Sequence, residues 1–268
     1  MASLRILFTC LLCWVLTSCG NLKEGCLDVN AINFDVSADE NCCCLYPTMG
    51  IAFDYYNGDQ LLSNAPLIDA SGDTVIIDKL TFIASDISWK TDGQAIRSDS
   101  RTWLFLTPGN YHDSIRSIDD YYLVRNSGAQ FDNFTFKEPI NIQSLSLMVG
   151  VADSAITNQP FYIKNANHTL AGTIDSMYNY SEKQYRTLRL AYRIKNQPNF
   201  ADTIYIDAPQ FRKKFELPIN YQTVLGFKNF IQIRIQVDML IKDIHFVSDD
   251  PKVIAQKIVA NLENIILH

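Results

Sequence analysis

After Cys44 the chain has no cysteine at all, so the long C-terminal part must hold together by packing alone. Histidine is scarce too: the four present, His112, His168, His245 and His268, never fall at i,i+2 or i,i+4 spacing, which removes any local imidazole clamp for a metal. Gly-x-Ser-x-Gly, His-Glu-x-x-His and a phosphate loop are missing, and with them the common signatures of hydrolases, zinc proteases and nucleotide enzymes. Basic runs are missing as well. A formal charge of -6 with no positive patch excludes a nucleic-acid partner. Beyond the first eighteen residues no segment approaches about 18 consecutive apolar residues, so no second membrane-crossing helix is expected.

What is present begins with an address. Met1 to Arg5 carry one cation and no carboxylate, and Ile6 to Leu16 form a short apolar core, the layout of a secretory signal. Leu16-Thr17-Ser18-Cys19 resembles a bacterial lipobox, which implies cleavage after Ser18 and a diacyl thioether on Cys19. Removing 1–18 takes away only Arg5 among charged groups, so the charge moves from -6 to -7. The expected product is a lipid-anchored protein of the bacterial outer membrane or periplasm, with the membrane as a partner through Cys19 and its place on the cell surface left open.

Residues 19–47 form a separate head. "GCLDVNAINFDVSADENCCCLYP" resembles a short cysteine- and aspartate-rich module of secreted bacterial proteins, matching at Gly25, Cys26, Asp28, Ala31, Asn33, Phe34, Asp35, Ala38, Asp39 and Cys42. In an oxidising compartment this reads as a disulfide-clamped module, with Cys26 joined to one of Cys42, Cys43 or Cys44 and the other two paired or free. Asp28, Asn30, Asp35, Asp39 and Glu40 supply oxygens that suit calcium, or simply a solvated acidic loop.

From Gly50 onward the hydrophobic period is two. Ile231, Ile233, Ile235 and Val237 alternate with Gln232, Arg234, Gln236 and Asp238, and Leu188, Leu190, Tyr192 and Ile194 with Thr187, Arg189 and Arg193. Similar runs lie at 51–56, 75–89, 103–106, 121–124, 131–136, 144–151, 203–206 and 214–217, separated by turn-rich stretches such as 91–93, 107–110 and 125–128. Residues 48–268 are therefore expected to form a mainly β domain, an antiparallel two-sheet sandwich. Only the end departs from this. "SDDPKVIAQKIVANLENIILH" offers Ser248 or Asp249 as N-cap and a stripe of Val253, Ile254, Ile258, Leu262, Ile265 and Ile266, an amphipathic helix over about 250–266.

Within this domain the order of four short motifs resembles the MbnP-like family, the methanobactin-biosynthesis-partner domain. They are "VIIDKLTFIASDISWKTDG", "SLSLMVGVADSAIT", "GTIDSMYNYSEKQYRTLRL" and the final helix with Asn261. The resemblance implies a secreted copper-binding sandwich whose metal is held by histidines and an oxidised tryptophan. Gly172, Ile174, Asp175, Met177, Tyr178 and Tyr185 keep the family's frame, while its tryptophan positions read Asn179 and Ser181 and its downstream histidine-bearing strand reads Tyr205-Ile206-Asp207. Copper favours imidazole or sulfur, so the expected ligands are missing where the family places them. His112 and His168, both in loops, are the remaining pair to consider as metal ligands. Two functions follow: a non-catalytic lipoprotein module binding an unknown protein or small ligand, or a copper-binding protein of the family type. Asp119-Asp120 and Asp249-Asp250 are paired carboxylates better suited to turns and caps than to acid–base catalysis.

Overall fold

The computed structural model describes residues 22–64, 66–105, 113–158, 160, 163, 165–171, 174–208 and 211–267; the signal segment, Cys19 and His112 lie outside the described residues. Eleven strands and one helix carry the domain argument. They are β1 (Thr48–Asn57), β2 (Thr74–Thr91), β3 (Arg101–Phe105), β4 (Ser114–Ile118), β5 (Tyr122–Arg125), β6 (Ala129–Thr135), β7 (Asn141–Val149), β8 (Gln184–Ile194), β9 (Gln197–Asp207), β10 (Lys213–Gln222), β11 (Asn229–Gln236) and α1 (Pro251–Asn261).

The larger sheet is organised by β2, a strand of 18 residues. Phe82 pairs with Leu188 of β8 on one edge and with Val124 of β5 on the other, whereas Ala84 pairs with Val149 of β7 and with Tyr122 of β5. The same edge of β2 is thus given to β8 up to Phe82 and to β7 from Ala84 onward. The sheet forks at Ile83. Gly150 N donates to Ile83 O at 2.7 Å and closes the crotch, and beyond each prong β9 and β10 extend the sheet. A bulge follows at Asp86, whose φ of +50° shifts the pairing with β7 by one residue. It returns Ile87 and Trp89 to the inner face and leaves Ile87 N to donate to the buried carboxylate of Asp120 at 2.9 Å.

The second sheet runs β6-β1-β11, and the β1/β11 pair is parallel. This is a departure from a purely antiparallel sandwich. The two strands come from opposite ends of the domain, so no hairpin constrains their direction. Met49, Ile51 and Phe53 of β1 and Ile231, Ile233 and Ile235 of β11 face Leu80, Phe82, Leu145, Leu147, Leu188 and Leu190 of the large sheet in one continuous buried cluster. Phe53 meets Phe82 edge-on at 5.9 Å between ring centres. Each such fully buried side chain is worth roughly 1.5–3 kcal/mol relative to exposure.

Ile83 points the other way and belongs to a second core with Leu104, Leu123, Val151, Leu170, Met177, Tyr178 and Tyr185. One sheet is therefore buried on both faces where it forks. Leu104 from the two-stranded β3–β4 sheet covers this face together with Val151, Ala155, Leu170, Met177 and Tyr178 from the segments between β7 and β8.

The C-terminal helix is shorter than the sequence pattern suggests. It begins at Pro251 with Asp250, not Ser248 or Asp249, as N-cap, its carboxylate accepting Lys252 N at 2.8 Å. Asp249 is occupied elsewhere, accepting His245 N at 2.8 Å and pairing Lys257 at 2.7 Å. Asn261 ends the helix by donating to Leu240 O and Lys242 O, and the apolar stripe continues through a 3-10 turn into a bridge between Ile266–Leu267 and β11. Ile254, Ile258, Leu262 and Ile265 are buried, whereas Val253 faces out.

In the head, Cys26 is joined to Cys44, while Cys42 and Cys43 are free thiols. Cys43 sits at φ +57° and hydrogen-bonds its neighbour, which pushes the Cys42 thiol up to about 11. Glu24–Gly25 pairs in parallel with Glu40–Asn41, and Cys26 and Ala31 form the head's buried centre.

Gly150 makes the fork testable. Its φ of +119° is a left-handed conformation, and an added Cβ would lie 2.9 Å from Arg212 Cγ. Gly150→Ala is expected to destabilise the protein by about 1–3 kcal/mol, read as a lower midpoint in urea with an unchanged slope. A variant as stable as the wild type would show that the crotch is not a constrained point.

Candidate functional site

Of the residues singled out in the 172–185 stretch, the structure describes Ile174, Asp175, Met177, Tyr178 and Tyr185, and their role is visible from their contacts. Met177 and Tyr178 are buried plugs in the second core. Tyr178 packs edge-on against Tyr185 at 5.0 Å, and its strand pairing with Tyr185 aligns the segment along the start of β8. Tyr185 is fully buried, donates to Leu170 O at 2.7 Å and accepts from Asn158 Nδ2 at 2.8 Å, while Asn158 Oδ1 takes Phe105 N at 2.8 Å. Burial drives its phenol well above the ordinary tyrosine range, so it stays a neutral hydrogen-bonding post. Three separate stretches, 104–105, 158–170 and 177–185, are stapled through this one side chain.

Asp175 fastens the segment from outside. Asp175 and Ser176 both have left-handed φ, +56° and +57°, conformations that cost about 1–2 kcal/mol for residues with a Cβ. The contacts they secure offset that cost. Lys79 pairs with Asp175 Oδ1 and Arg125 Nε donates to Oδ2 at 2.6 Å. Arg189 Nη1 reaches Asp175 O at 3.2 Å and Arg186 Nη1 reaches Ser176 O at 2.6 Å. The Asp175 side chain is only 10% exposed. Burial alone would raise its pKa, yet the hydrogen bonds and charges of Lys79 and Arg125 outweigh burial and hold it below 3.8.

These cations come from three adjacent strands of the large sheet: Lys79 from β2, Arg125 from β5, Arg186 and Arg189 from β8. The Arg186 guanidinium lies 3.8 Å from the centre of the Tyr205 ring, a stacking worth roughly 0.5–2 kcal/mol, with Arg189 at 5.9 Å from the same ring. Asp207, which takes Gln184 Nε2 at 3.0 Å, stands 3.8 Å from Arg186 Nε. Four cations thus surround two carboxylates, Asp175 and Asp207, on a chain whose overall charge is negative. Among the described residues the buried Nε atoms of Arg186 and Arg189 have no hydrogen-bond partner.

The expected metal ligands fare differently. His168 is held at both ring nitrogens: Nδ1 accepts Leu170 N at 3.0 Å, which places the proton on Nε2, and Nε2 faces Asp119 Oδ1 at 3.0 Å. Neither nitrogen offers a free lone pair, and its partner His112 lies outside the described residues. His245 Nδ1 is 2.8 Å from Ser71 Oγ. Asn179 and Ser181 hydrogen-bond each other, and Tyr205 carries the arginine stack. Among the described residues no group of three histidine, cysteine, aspartate or glutamate side chains converges on a point.

In the head, Asp28 takes Asn30 N at 2.9 Å, Asp35 takes Ser37 N at 2.9 Å and pairs Lys23 at 2.8 Å, and Asp39 takes Lys23 N at 3.0 Å. The aspartates close turns and bind a lysine; the structure does not gather them with Asn30 into a calcium cage. The paired carboxylates at 119–120 and 249–250 are likewise held, as described, by His168, Ile87 N, Lys257 and Lys252 N. A groove of about 230 Å³ is lined by Leu62, Leu67, Val75, Ile77 and Lys195.

The class defined by this geometry is a forked β-sandwich with a strapped second core. No family model matches the chain, and no curated protein sequence matches it. Among solved structures, MbnP from Methylosinus trichosporium matches with a TM-score of 0.39 and 8% identity, covering 72% of this chain and 78% of that chain. That likeness is too distant to carry function.

The strap has a pH signature. A carboxylate whose pKa is lower folded than unfolded contributes stability that is complete above the unfolded value and lost as pH falls through the folded one. Asp175→Asn is therefore expected to cost about 1–2 kcal/mol at pH 7, discounted for the partly exposed Lys79 and Arg125, with the difference from wild type shrinking as pH falls below about 4. Urea titrations of both proteins between pH 3 and pH 7 check this; a difference that grows on acidification would contradict the assignment.

Proposed function

We propose that the chain is a non-catalytic, lipid-anchored protein of the bacterial cell envelope whose sandwich binds a small anionic ligand at the cationic platform over β2, β5 and β8. The observation that carries the reading is the charge imbalance there. Lys79, Arg125, Arg186 and Arg189 exceed Asp175 and Asp207 by two, and Tyr205 offers a flat face beside them. Arginine donors arranged around a carboxylate suit a second carboxylate, sulfate or phosphate group, because guanidinium binds planar oxyanions through paired hydrogen bonds. The lipobox-like Leu16-Thr17-Ser18-Cys19 supports the anchor. Copper binding of the MbnP type is the alternative; the engaged nitrogens of His168 speak against it.

Thermal melting of the full chain with citrate or sulfate, against chloride at equal ionic strength, tests the binding reading. At a hundredfold excess over Kd a bound anion stabilises by about 2.7 kcal/mol, a rise of several degrees for a protein of this size. Arg125→Ala should remove the rise. A rise that survives this change, or one produced instead by Cu(I) or Cu(II) and lost in His112→Ala/His168→Ala, would overturn it. Anchoring is read separately: a metabolic acyl probe should label the wild type and leave Cys19→Ala unlabelled, and equal labelling would remove the lipoprotein reading.

A further inference from the structure

The head displays apolar surface out of proportion to its size. Val36 is 81% exposed, Val29 70% and Leu22 60%, while Cys26 and Ala31 are buried as its apolar interior. Two contacts place these side chains. Lys23 Nζ binds both Asp35 and Ser37, so Leu22 and Val36 flank one shared contact at the start of the described chain. Gly226 N donates to Asn30 O at 3.3 Å, which sets Val29 beside the 224–227 loop of the sandwich, where Phe227 is itself 70% exposed. Leu22 with Val36, and Val29 with Phe227, are thus exposed apolar side chains grouped in pairs, and grouped apolar exposure marks a contact surface.

The covering partner follows from distance. Cys19 precedes Leu22 by three residues, and three extended residues span at most about 11 Å. A lipid on Cys19 would keep the Leu22–Val36 end within that reach of the headgroups, whichever way the sandwich swings. We propose that the head is a membrane seat: Leu22 and Val36 enter the bilayer interface beside the acyl anchor and fix the sandwich close to the membrane. This rests on the lipidation of Cys19. Burying such side chains about 5–10 Å into the interface is the ordinary mode of peripheral anchors. The charges set the lipid preference. Glu24, Asp28, Asp35, Asp39 and Glu40 outnumber Lys23, so anionic headgroups repel the seat and zwitterionic ones accept it.

The acylated protein cleaved after Ser18, which no longer carries Trp14, decides the matter when reconstituted in vesicles. Trp103→Phe removes the exposed tryptophan, leaving the buried Trp89 as background, and Val36→Trp or Phe227→Trp then reports lipid contact through quenching by brominated phosphatidylcholine. Vesicle flotation reads the anchor independently. The proposal expects flotation together with at least twofold quenching at Val36→Trp, less at Phe227→Trp, and weaker quenching in phosphatidylglycerol vesicles. Flotation without quenching at either position would leave the anchor standing and overturn the seat. Failure to float would overturn both. A blue shift at Val36→Trp that follows protein concentration without vesicles would assign the surface to a second copy instead.

Discussion

Everything in the domain depends on how β2 shares one edge between two partners. Up to Phe82 that edge belongs to β8, and from Ala84 it belongs to β7, with Gly150 N on Ile83 O marking the change. Because side chains alternate along a strand, a partner change at that point leaves Phe82 and Ala84 in the main core and turns Ile83 outward. An isoleucine facing water on a sheet this large would forfeit roughly 1.5–3 kcal/mol, so the outer face needs a cover. The irregular stretch between β7 and β8 supplies it. The second core, the Tyr185 post and the Asp175 fastening all follow from that requirement.

The family-like frame takes its meaning from the same constraint. Asp175, Met177, Tyr178 and Tyr185 are the residues that close and fasten the cover, and none of them needs a metal to do so. The residue left over from the fastening is charge: two more cations than carboxylates on the outer surface of an acidic protein. The same arginines that fasten the cover would serve the anion binding proposed above, so a bound anion would be coupled to the order of the cover.

Much of the architecture is legible in the residues. The alternation of 231–237 and, Ala191 apart, of 187–194 identifies β11 and β8, and the head's cysteines identify a clamp, which the structure places at Cys26–Cys44 with Cys43 in a left-handed turn beside it. The fork is less plain, yet it leaves a trace. Leu80, Phe82, Ile83 and Ala84 form a run apolar on both sides, the pattern of a strand covered on two faces, and it stands inside an otherwise alternating sequence. The parallel pairing of β1 with β11 leaves no such trace, since its partners are some 180 residues apart and no turn dictates their direction. Nor does sequence show that His168 spends both nitrogens on Leu170 N and Asp119. Those bonds depend on where two distant loops meet.

Native-state hydrogen exchange across the two cores tests the account most directly. If the Asp175 fastening holds a cover over an independently stable sandwich, Asp175→Asn should speed exchange of the Met177, Arg186 and Ala208 amides while those of Leu147 and Ile233 keep their wild-type protection. Equal acceleration in both cores would contradict it, because the second core would then be part of a single cooperative unit and not a strapped cover.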